Sequence, residues 1–433
     1  MTHHLFQCVD ESINADIAII GAGLVGLSAA IAFVKQGKNV ALVDAKKPAT
    51  TLKKAWDERV YALTPETENW LTSIGVWAHV DISRVNPINA MHIFDNAIES
   101  PLCLRDEDAN LPKLGVIIEN QNLMHALWQQ LKTLEAENES LIIISSAACQ
   151  TLQITQDNIE LVLVNKNQEN KHQEYKKQEY KKQENKHLEN IQQANHQKIN
   201  AKLILAADGV DSWVRNQANI GVTKKVFHQT AIVANYLVEK PHQHIARQWF
   251  RPHDVLALLP LPGNMVSIVW SVSTERADEL LTLSSEELAL NVQEYSRGIL
   301  GSLKQVGNTQ AFALNQQTAL QFVAERVVLM GDAAHQIHPM AGQGVNLGFR
   351  DVMQLASLAT KLHGMQNMGD KTFLRQYERA RKADILTMNQ LTSGLDGLFA
   401  SDSNMAKKIT TWSLQLLNKQ AHIKKLLIQQ VAA

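Results

Sequence analysis

This chain has few cysteines and almost no net charge. The three cysteines, Cys8, Cys103 and Cys149, are too few and too scattered to form a disulfide framework or a zinc site. A net charge of −1 over 433 residues predicts no broad electrostatic attraction to nucleic acid or to an anionic membrane. We therefore expect a reducing compartment, no metal site and no nucleic acid among the partners.

Targeting and membrane-spanning segments are missing too. No run of about 18 apolar residues occurs, so no helix is expected to span a bilayer. Residues 1–14 contain two histidines, a cysteine, an aspartate and a glutamate, unlike a signal peptide. We expect a cytoplasmic protein, with a peripheral position on the inner face of the cytoplasmic membrane left open. The composition, 45% hydrophobic and 20% charged, is that of an ordinary globular protein of two or three domains.

A strand, a helix and a second strand are predicted near the start of the chain. The strands cover Ala15–Ile20 and Asn39–Val43, and the helical pattern covers Leu24–Gln36. Parallel strands need such a crossover, so this segment is a βαβ unit.

A glycine triplet occupies the turn of this unit. Gly21 permits the tight turn, Gly23 lets a pyrophosphate approach the helix N-terminus, and Gly26 lets the helix lie close to the strand. Asp44 ends the second strand, where its carboxylate can accept the ribose hydroxyls of an adenosine. The unit is therefore predicted to bind a dinucleotide, which these residues alone leave open as NAD or FAD.

A second glycine-rich site lies near the other end of the chain. Gly331-Asp332 follows the predicted strand Arg326–Met330 and can present a carboxylate to a chain of hydroxyl groups. The turn that follows leads into a helix predicted over Gly344–His363, whose N-terminus suits a pyrophosphate or a developing negative charge. An NAD enzyme has no use for this second site, whereas a flavin with its ribityl chain does, so FAD is the predicted cofactor.

The chain resembles the flavoprotein aromatic hydroxylases of the para-hydroxybenzoate hydroxylase type. The glycine triplet, the stretch Ala207–Arg215 (ADGVDSWVR) and the stretch Gly331–Gly348 match three motifs of that family in order. HPMAGQGVNLGFRD, from His338 to Asp351, is further similar to the signature of the ubiquinone-biosynthesis hydroxylases. Two other stretches also fit that subfamily, Asp57–Leu63 and Glu119–Leu127. The chain departs from the family in a polar insertion and in Asp44, where the family more often has glutamate.

The resemblance implies a set of cofactor contacts. Arg59 and Asn120 would contact the flavin, Pro339 would lie beside its ring, and the backbone from Gly342 to Asn346 would face its pyrimidine end. The expected FAD-binding residues are Gly21, Gly23, Gly26, Asp44, Arg59, Asn120, Asp208, Gly209, Gly331, Asp332, Pro339, Gly342, Gln343, Gly344, Val345 and Asn346.

The resemblance also implies the reaction. With FAD, O2 and a reductant, NAD(P)H or another electron donor, the enzyme would hydroxylate a polyprenylated phenol or quinol of ubiquinone biosynthesis through a flavin C4a-hydroperoxide. No residue that activates the phenol can be named. Two alternatives stay open: an FAD-containing dehydrogenase or reductase of the same fold, and an FAD-binding subunit that assembles a biosynthetic complex.

Several residues carry a structural alternative. Asp208 could be a turn acid or helix cap, Arg215 a surface charge, and His335 and His338 packing residues rather than chemical groups. Trp249 and Phe250 could line a substrate pocket, although aromatic residues of a sheet more often belong to the core.

The predicted fold class is α/β: a Rossmann-like FAD-binding domain with an inserted β-sheet substrate domain and a helical C-terminal region. Residues 226–272 are expected to form an antiparallel sheet. The FAD-binding domain is discontinuous because its motifs are far apart in the chain. The expected segments are 1–82, 112–222 and 319–366 for the FAD-binding domain, 83–111 and 223–318 for the substrate domain, and 367–433 for the helical region.

Two further segments stand apart. Asn165–Lys198 is almost free of apolar residues and contains QEYKK twice, so we expect an expanded hairpin loop, disordered or a solvated helix, without a role in the chemistry. The C-terminal region mixes lysines with apolar residues and could dock on its own domain, on a membrane surface or on a biosynthetic complex. Those apolar residues are Trp412, Leu414, Leu416, Leu417, Leu426, Leu427 and Ile428.

Overall fold

The computed structural model describes residues 12–48, 50–95, 101–155, 157–165, 196–252, 254–337, 344–362, 367–400 and 425. The helices are α1 Leu24–Lys35, α2 Pro65–Ser73, α3 Asp106–Ala109, α4 Asn120–Glu137, α5 Trp213–Gln217, α6 Thr274–Leu281, α7 Ser285–Tyr295, α8 Gly344–Ala359 and α9 Lys371–Ala400. The strands are β1 Ile13–Ile20, β2 Val40–Asp44, β3 Val60–Leu63, β4 Val85–Ile88, β5 Ala90–Asp95, β6 Leu102–Arg105, β7 Gly115–Glu119, β8 Leu141–Ser145, β9 Ala147–Ile154, β10 Ile159–Asn165, β11 His196–Ala206, β12 Val222–Val238, β13 Ile245–Arg251, β14 Asp254–Leu261, β15 Met265–Ser273, β16 Leu303–Ala319, β17 Val323–Ala324, β18 Val327–Leu329 and β19 His335–Gln336. Within the described ranges, no helix is long and apolar enough to cross a membrane.

The first sheet holds the predicted βαβ unit. Its described strands follow the order β17-β18-β11-β1-β2-β8, and β10 and β9 continue from β11. β1 runs parallel to both neighbours, with Ile19 opposite Leu42 of β2 and Leu205 of β11. These three side chains are fully buried, as expected for a parallel sheet that is covered on both faces.

The second sheet follows the order β19-β16-β12-β15-β14-β13-β5-β6. The strands between 222 and 273 pair antiparallel, as predicted, and β5 adds to β13 in parallel. Since side chains alternate between the faces of a sheet, Tyr236 and Trp270 lie in the core with residues of α6 and α7, and the other face is available for a ligand.

The third sheet, β3-β7-β4, joins the other two. Val116 and Ile118 of β7 belong to the core of the first sheet. Ile117, which points to the opposite face, is buried with Ala246 and Leu261 of the second sheet. This small sheet therefore fixes the distance between the two large ones, where a site can form.

Two predicted boundaries need correction. Asn165 is the last residue of β10, and β11 begins at His196 and pairs with it antiparallel, so the predicted insertion 165–198 includes residues of both strands. The hairpin on either side of the insertion is confirmed, and residues 166–195 lie outside the described ranges. α9 is described as far as Ala400, and the apolar residues from Trp412 onward lie outside. The division into six segments stays a prediction.

Candidate active site

A cavity of about 1010 Å³ lies between the three sheets. Its lining comes from the turn at the start of α1, from β3, from the turn after β18, from the start of α8 and from one face of the second sheet. This volume is at the upper end of the range for ligand sites, so the cavity has room for a ring system and a second molecule.

The glycine turn has the geometry that the sequence predicted. Gly21 has φ +102, and a Cβ there would overlap the carbonyl of Ala207. A Cβ on Gly26 would overlap the carbonyl of Gly21, so the helix can approach the strand only with glycine at this position. Gly23 lines the cavity, and a Cβ there would meet no atom within 4 Å, which leaves open space beside the helix N-terminus.

Asp44 lies at the end of β2 beside this turn. Its carboxylate accepts hydrogen bonds from the backbone N–H of Ala22 and from that of Lys46, both at 2.6 Å. The carboxylate is thus held next to the open space at Gly23, where it can accept hydroxyl groups of a nucleotide.

A polar group from β3 and α4 forms the next part of the wall. Arg59 is exposed to the cavity, with its guanidinium carbon 5.4 Å from the ring centre of Tyr61. The Tyr61 hydroxyl donates to Oδ1 of Asn120 at 3.3 Å. Burial raises the pKa of Tyr61 to about 12, so this phenol stays protonated at neutral pH. Arg59 and Asn120 both line the cavity, and their contact with the flavin stays a prediction. Tyr61 is a cavity residue that the sequence analysis did not single out.

The second motif follows β11. Gly209 lines the cavity. One oxygen of Asp208 accepts from Val214 N at 3.1 Å in the first turn of α5, so this side chain supports the start of the helix, whose N-cap residue is Ser212. The other oxygen of Asp208, Oδ1, is buried without a hydrogen-bond partner among the described residues. Arg215 is buried and donates to the carbonyl of Ala333 at 3.0 Å. The surface-charge interpretation of Arg215 is wrong, because this side chain ties the second motif to the third.

Asp332 is the carboxylate of the third motif that faces the cavity. The preceding Gly331 has φ +54 and lies against Val25 of α1. The Asp332 side chain is exposed to the cavity, and protein atoms surround it on its other sides. Burial raises its pKa, and His335 and Arg59 oppose that shift. A carboxylate in such a place is a strong hydrogen-bond acceptor for a polyol.

The start of α8 completes this end of the cavity. Gly344 and Val345 line it. The Asn346 side chain does not, since its Oδ1 accepts from Thr64 N at 3.1 Å and its Nδ2 donates to Ala62 O at 2.8 Å. Any contact of Asn346 with a cofactor would therefore come from its backbone. The predicted residues His338, Pro339, Gly342 and Gln343 lie outside the described ranges.

The far end of the cavity is one face of the second sheet. None of the described side chains that line this face is charged, and most are small and apolar, among them Ala231, Val233, Val255, Ala257, Val269 and Ala313. Gln248, Ser271 and Asn315 are polar exceptions. Trp249 lies on the opposite face, stacked on Phe94 with ring centres 4.8 Å apart. The pocket interpretation of Trp249 is therefore wrong and the core interpretation is confirmed.

Comparison with known proteins identifies the family of this chain. Residues 14–391 match the family model described as FAD binding domain. The ubiquinone hydroxylase UbiL of Rhodospirillum rubrum is 30% identical over 393 residues, which cover 90% of this chain and 82% of that protein. The 3-demethoxyubiquinol 3-hydroxylase of Escherichia coli is 30% identical over 392 residues, which cover 90% of each.

This chain belongs to the FAD-dependent ubiquinone-biosynthesis hydroxylases. The solved structure of p-nitrophenol 4-monooxygenase from Pseudomonas putida has the same fold, with a TM-score of 0.73 over 98% of this chain and 99% of that one, at 14% identity. The hydroxylase is thus an FAD enzyme of mixed α/β fold, as the resemblance implied.

The described residues of the hydroxylase fit FAD. The open space at Gly23 suits a pyrophosphate, and a side chain at that position would fill it. Asp44 at one end and Asp332 further along can accept the hydroxyl groups of the ribose and the ribityl chain. Arg59 and Asn120 would then lie beside the ring, at the border of the apolar sheet face.

Proposed function

We propose that the hydroxylase inserts one oxygen atom of O2 into the ring of a polyprenylated phenol or quinol intermediate of ubiquinone biosynthesis. The observation that carries the proposal is the continuity of one cavity from the glycine turn to an uncharged face of the second sheet. Two relatives that match 90% of the chain are named ubiquinone hydroxylase and 3-demethoxyubiquinol 3-hydroxylase, which supports the substrate class.

The protein would contribute binding, orientation and the exclusion of water. Bound FAD, when reduced, supplies the activation of O2, and we expect oxygen transfer through the C4a-hydroperoxide known for this class of cofactor chemistry. The apolar sheet face, with Ala257 and Val269 on neighbouring strands, would hold the ring and keep bulk water away from the reacting carbon. The polar side chains Gln248 and Ser271 offer hydrogen bonds that orient a ring hydroxyl.

The reaction needs two electrons from outside. One oxygen atom of O2 enters the ring, and the other leaves as water with two protons and the two electrons of a donor. NAD(P)H or a reduced protein can supply them. The sequence contains no second glycine-rich βαβ unit, so we propose that a nicotinamide donor would bind only transiently.

A polyprenyl tail keeps a substrate in the bilayer, so we also propose a peripheral contact with the inner face of the cytoplasmic membrane or with a biosynthetic complex. Flotation of the purified protein with anionic vesicles tests the membrane contact directly. Recovery of all protein in the lipid-free fraction would contradict it.

The proposed reaction is tested with purified FAD-loaded protein. The flavin is reduced anaerobically, oxygen is readmitted with a short-chain prenylphenol, and the flavin spectrum and the product mass are followed. We expect a transient spectrum of the oxygen adduct and a product that is heavier than the substrate by one oxygen atom, about 16 mass units. Reoxidation of the flavin without that product would favour the dehydrogenase or reductase. A bound flavin whose oxidation state changes with neither donor nor oxygen would favour the assembly subunit.

A further inference from the structure

Asp351 of α8 supports the turn of the third motif from behind the cavity. This carboxylate is fully buried. Its Oδ2 accepts a hydrogen bond from Gly331 N at 2.8 Å and another from His335 Nε2 at 2.7 Å. Both donors flank Asp332, whose carboxylate faces the cavity. The orientation of Asp332 therefore depends on a second carboxylate that does not itself line the cavity.

The partner of Asp351 comes from α9. Arg381 is 4% exposed, and its Nε donates to Oδ1 of Asp351 at 2.6 Å. Its Nη1 donates to Asp384 at 2.6 Å and its Nη2 to Leu347 O at 3.3 Å. No described side chain of α9 lines the cavity. A helix outside the three motifs is thus in contact, through Arg381, with the residue that holds the third motif.

The charges of Asp351 and Arg381 stabilise each other. Burial alone would raise the pKa of Asp351, but His335 and Arg381 hold it below its usual value. Burial would lower the pKa of Arg381, and Asp351 raises it instead. An ion pair taken out of water is stable only while both partners remain, because either charge left alone is strongly destabilised. Loss of Arg381 therefore removes the counter-charge that keeps Asp351 ionised and in place.

We propose that Arg381 is a positioning residue for FAD, acting through Asp351 on the Gly331–Asp332 turn. The helix α9 is then part of the cofactor site without touching the cofactor. The coupling is reciprocal: Arg381 strengthens FAD binding, and bound FAD stabilises α9 around Arg381. This inference rests on FAD binding and is independent of which ring the hydroxylase oxidises.

The first experiment compares Arg381→Met with Lys382→Met, its neighbour on α9. Lys382 is half-exposed and pairs with Glu378 at 2.9 Å, so its replacement removes a charge of the same helix without touching Asp351. The FAD dissociation constant is measured by quenching of flavin fluorescence, well below the unfolding temperature of each FAD-free protein. We expect a rise of at least about tenfold for Arg381→Met, less than about twofold for Lys382→Met, and partial recovery in Arg381→Lys, which restores the charge.

The second measurement covers the case in which Arg381→Met does not fold. Amide hydrogen exchange of the wild-type protein and of Arg381→Lys is followed with and without FAD over residues 331–336 and 371–387. FAD is expected to slow exchange in both segments of the wild type and to lose much of its effect on 371–387 in the variant. A dissociation constant unchanged in Arg381→Met, or exchange in 371–387 that does not respond to FAD, would overturn the proposal and leave Arg381 a purely structural residue.

Discussion

Arg84 donates two parallel hydrogen bonds to Glu119, from Nε to Oε2 at 2.6 Å and from Nη2 to Oε1 at 2.7 Å. The Glu119 side chain is fully buried and also accepts from Asp57 N at 2.6 Å. Arg84 further donates to the carbonyls of Lys53 and Ala55 at 2.6 and 3.0 Å. One buried ion pair thus holds the whole segment that leads into β3 and the cavity.

Replacing Arg84 with methionine should destabilise the protein strongly. The Glu119 carboxylate would stay buried without its partner, which costs about 3–5 kcal/mol. Urea unfolding of the FAD-free protein measures the loss. The matched control is Arg276→Met, whose partner Glu279 lies 2.8 Å away in an exposed pair, and which should cost less than about 1 kcal/mol. Equal losses in the two variants would mean that Arg84 does not order the segment.

Alanine at Gly23 and alanine at Gly26 should have opposite effects. Gly23→Ala places a methyl group in open space, so the FAD-free protein should keep its stability or gain about 0.4–1 kcal/mol, while FAD affinity falls sharply. Gly26→Ala forces a methyl group onto the Gly21 carbonyl and should cost about 1–3 kcal/mol or more. Thermal unfolding and FAD titration of both variants test this, and an intact affinity in Gly23→Ala would place the pyrophosphate elsewhere.

Asp332→Asn should stabilise the FAD-free protein while weakening FAD binding. Burial raises the folded-state pKa of Asp332, so the ionised carboxylate at neutral pH costs stability, and that cost is absent below its unfolded-state pKa of about 3.9. The variant should unfold about 1–3 °C higher at pH 7, with a difference that vanishes as the pH falls below 4. A lower unfolding temperature at pH 7 would contradict the sign of this shift.

Ala257→Leu should remove hydroxylation and leave FAD binding intact. The added atoms would enter the cavity at the centre of the uncharged sheet face and displace the ring, and a displacement of about 1 Å can cost about 100-fold in rate. Product formation per reduced flavin is the measurement. The control is Leu237→Phe, which adds bulk at an exposed position of β12 in the same sheet, outside the residues that line the cavity. Loss of FAD from Ala257→Leu would show that the two ends of the cavity are not separate.

The predictable part of this molecule is local in sequence. The turn at Gly21 and Gly23 follows from residues adjacent to it, because a strand, a tight turn and a helix leave few backbone solutions. The antiparallel sheet could be predicted for a similar reason, since short turns join its strands.

The missed features depend on partners far along the chain. Arg215 is buried because its guanidinium reaches Ala333, and no pattern around residue 215 indicates that contact. Trp249 points away from the cavity because α6 and α7 cover that face of the second sheet, a choice that alternation along one strand leaves open. Tyr61 lies within a motif that the sequence analysis quoted, but its place in the cavity wall depends on the hydrogen bond to Asn120, which is far along the chain.

The central position of β1 has a consequence for synthesis on the ribosome. β1 pairs with β11. Ala207, which follows β11, lies against Gly21, and Gly331, much later in the chain, lies against Val25. At about 5–20 residues per second, the glycine turn emerges tens of seconds before its last neighbours exist. The nascent chain must keep this apolar strand out of wrong pairings for that whole interval, and the cavity that would hold FAD is complete only after the Gly331 turn has been made.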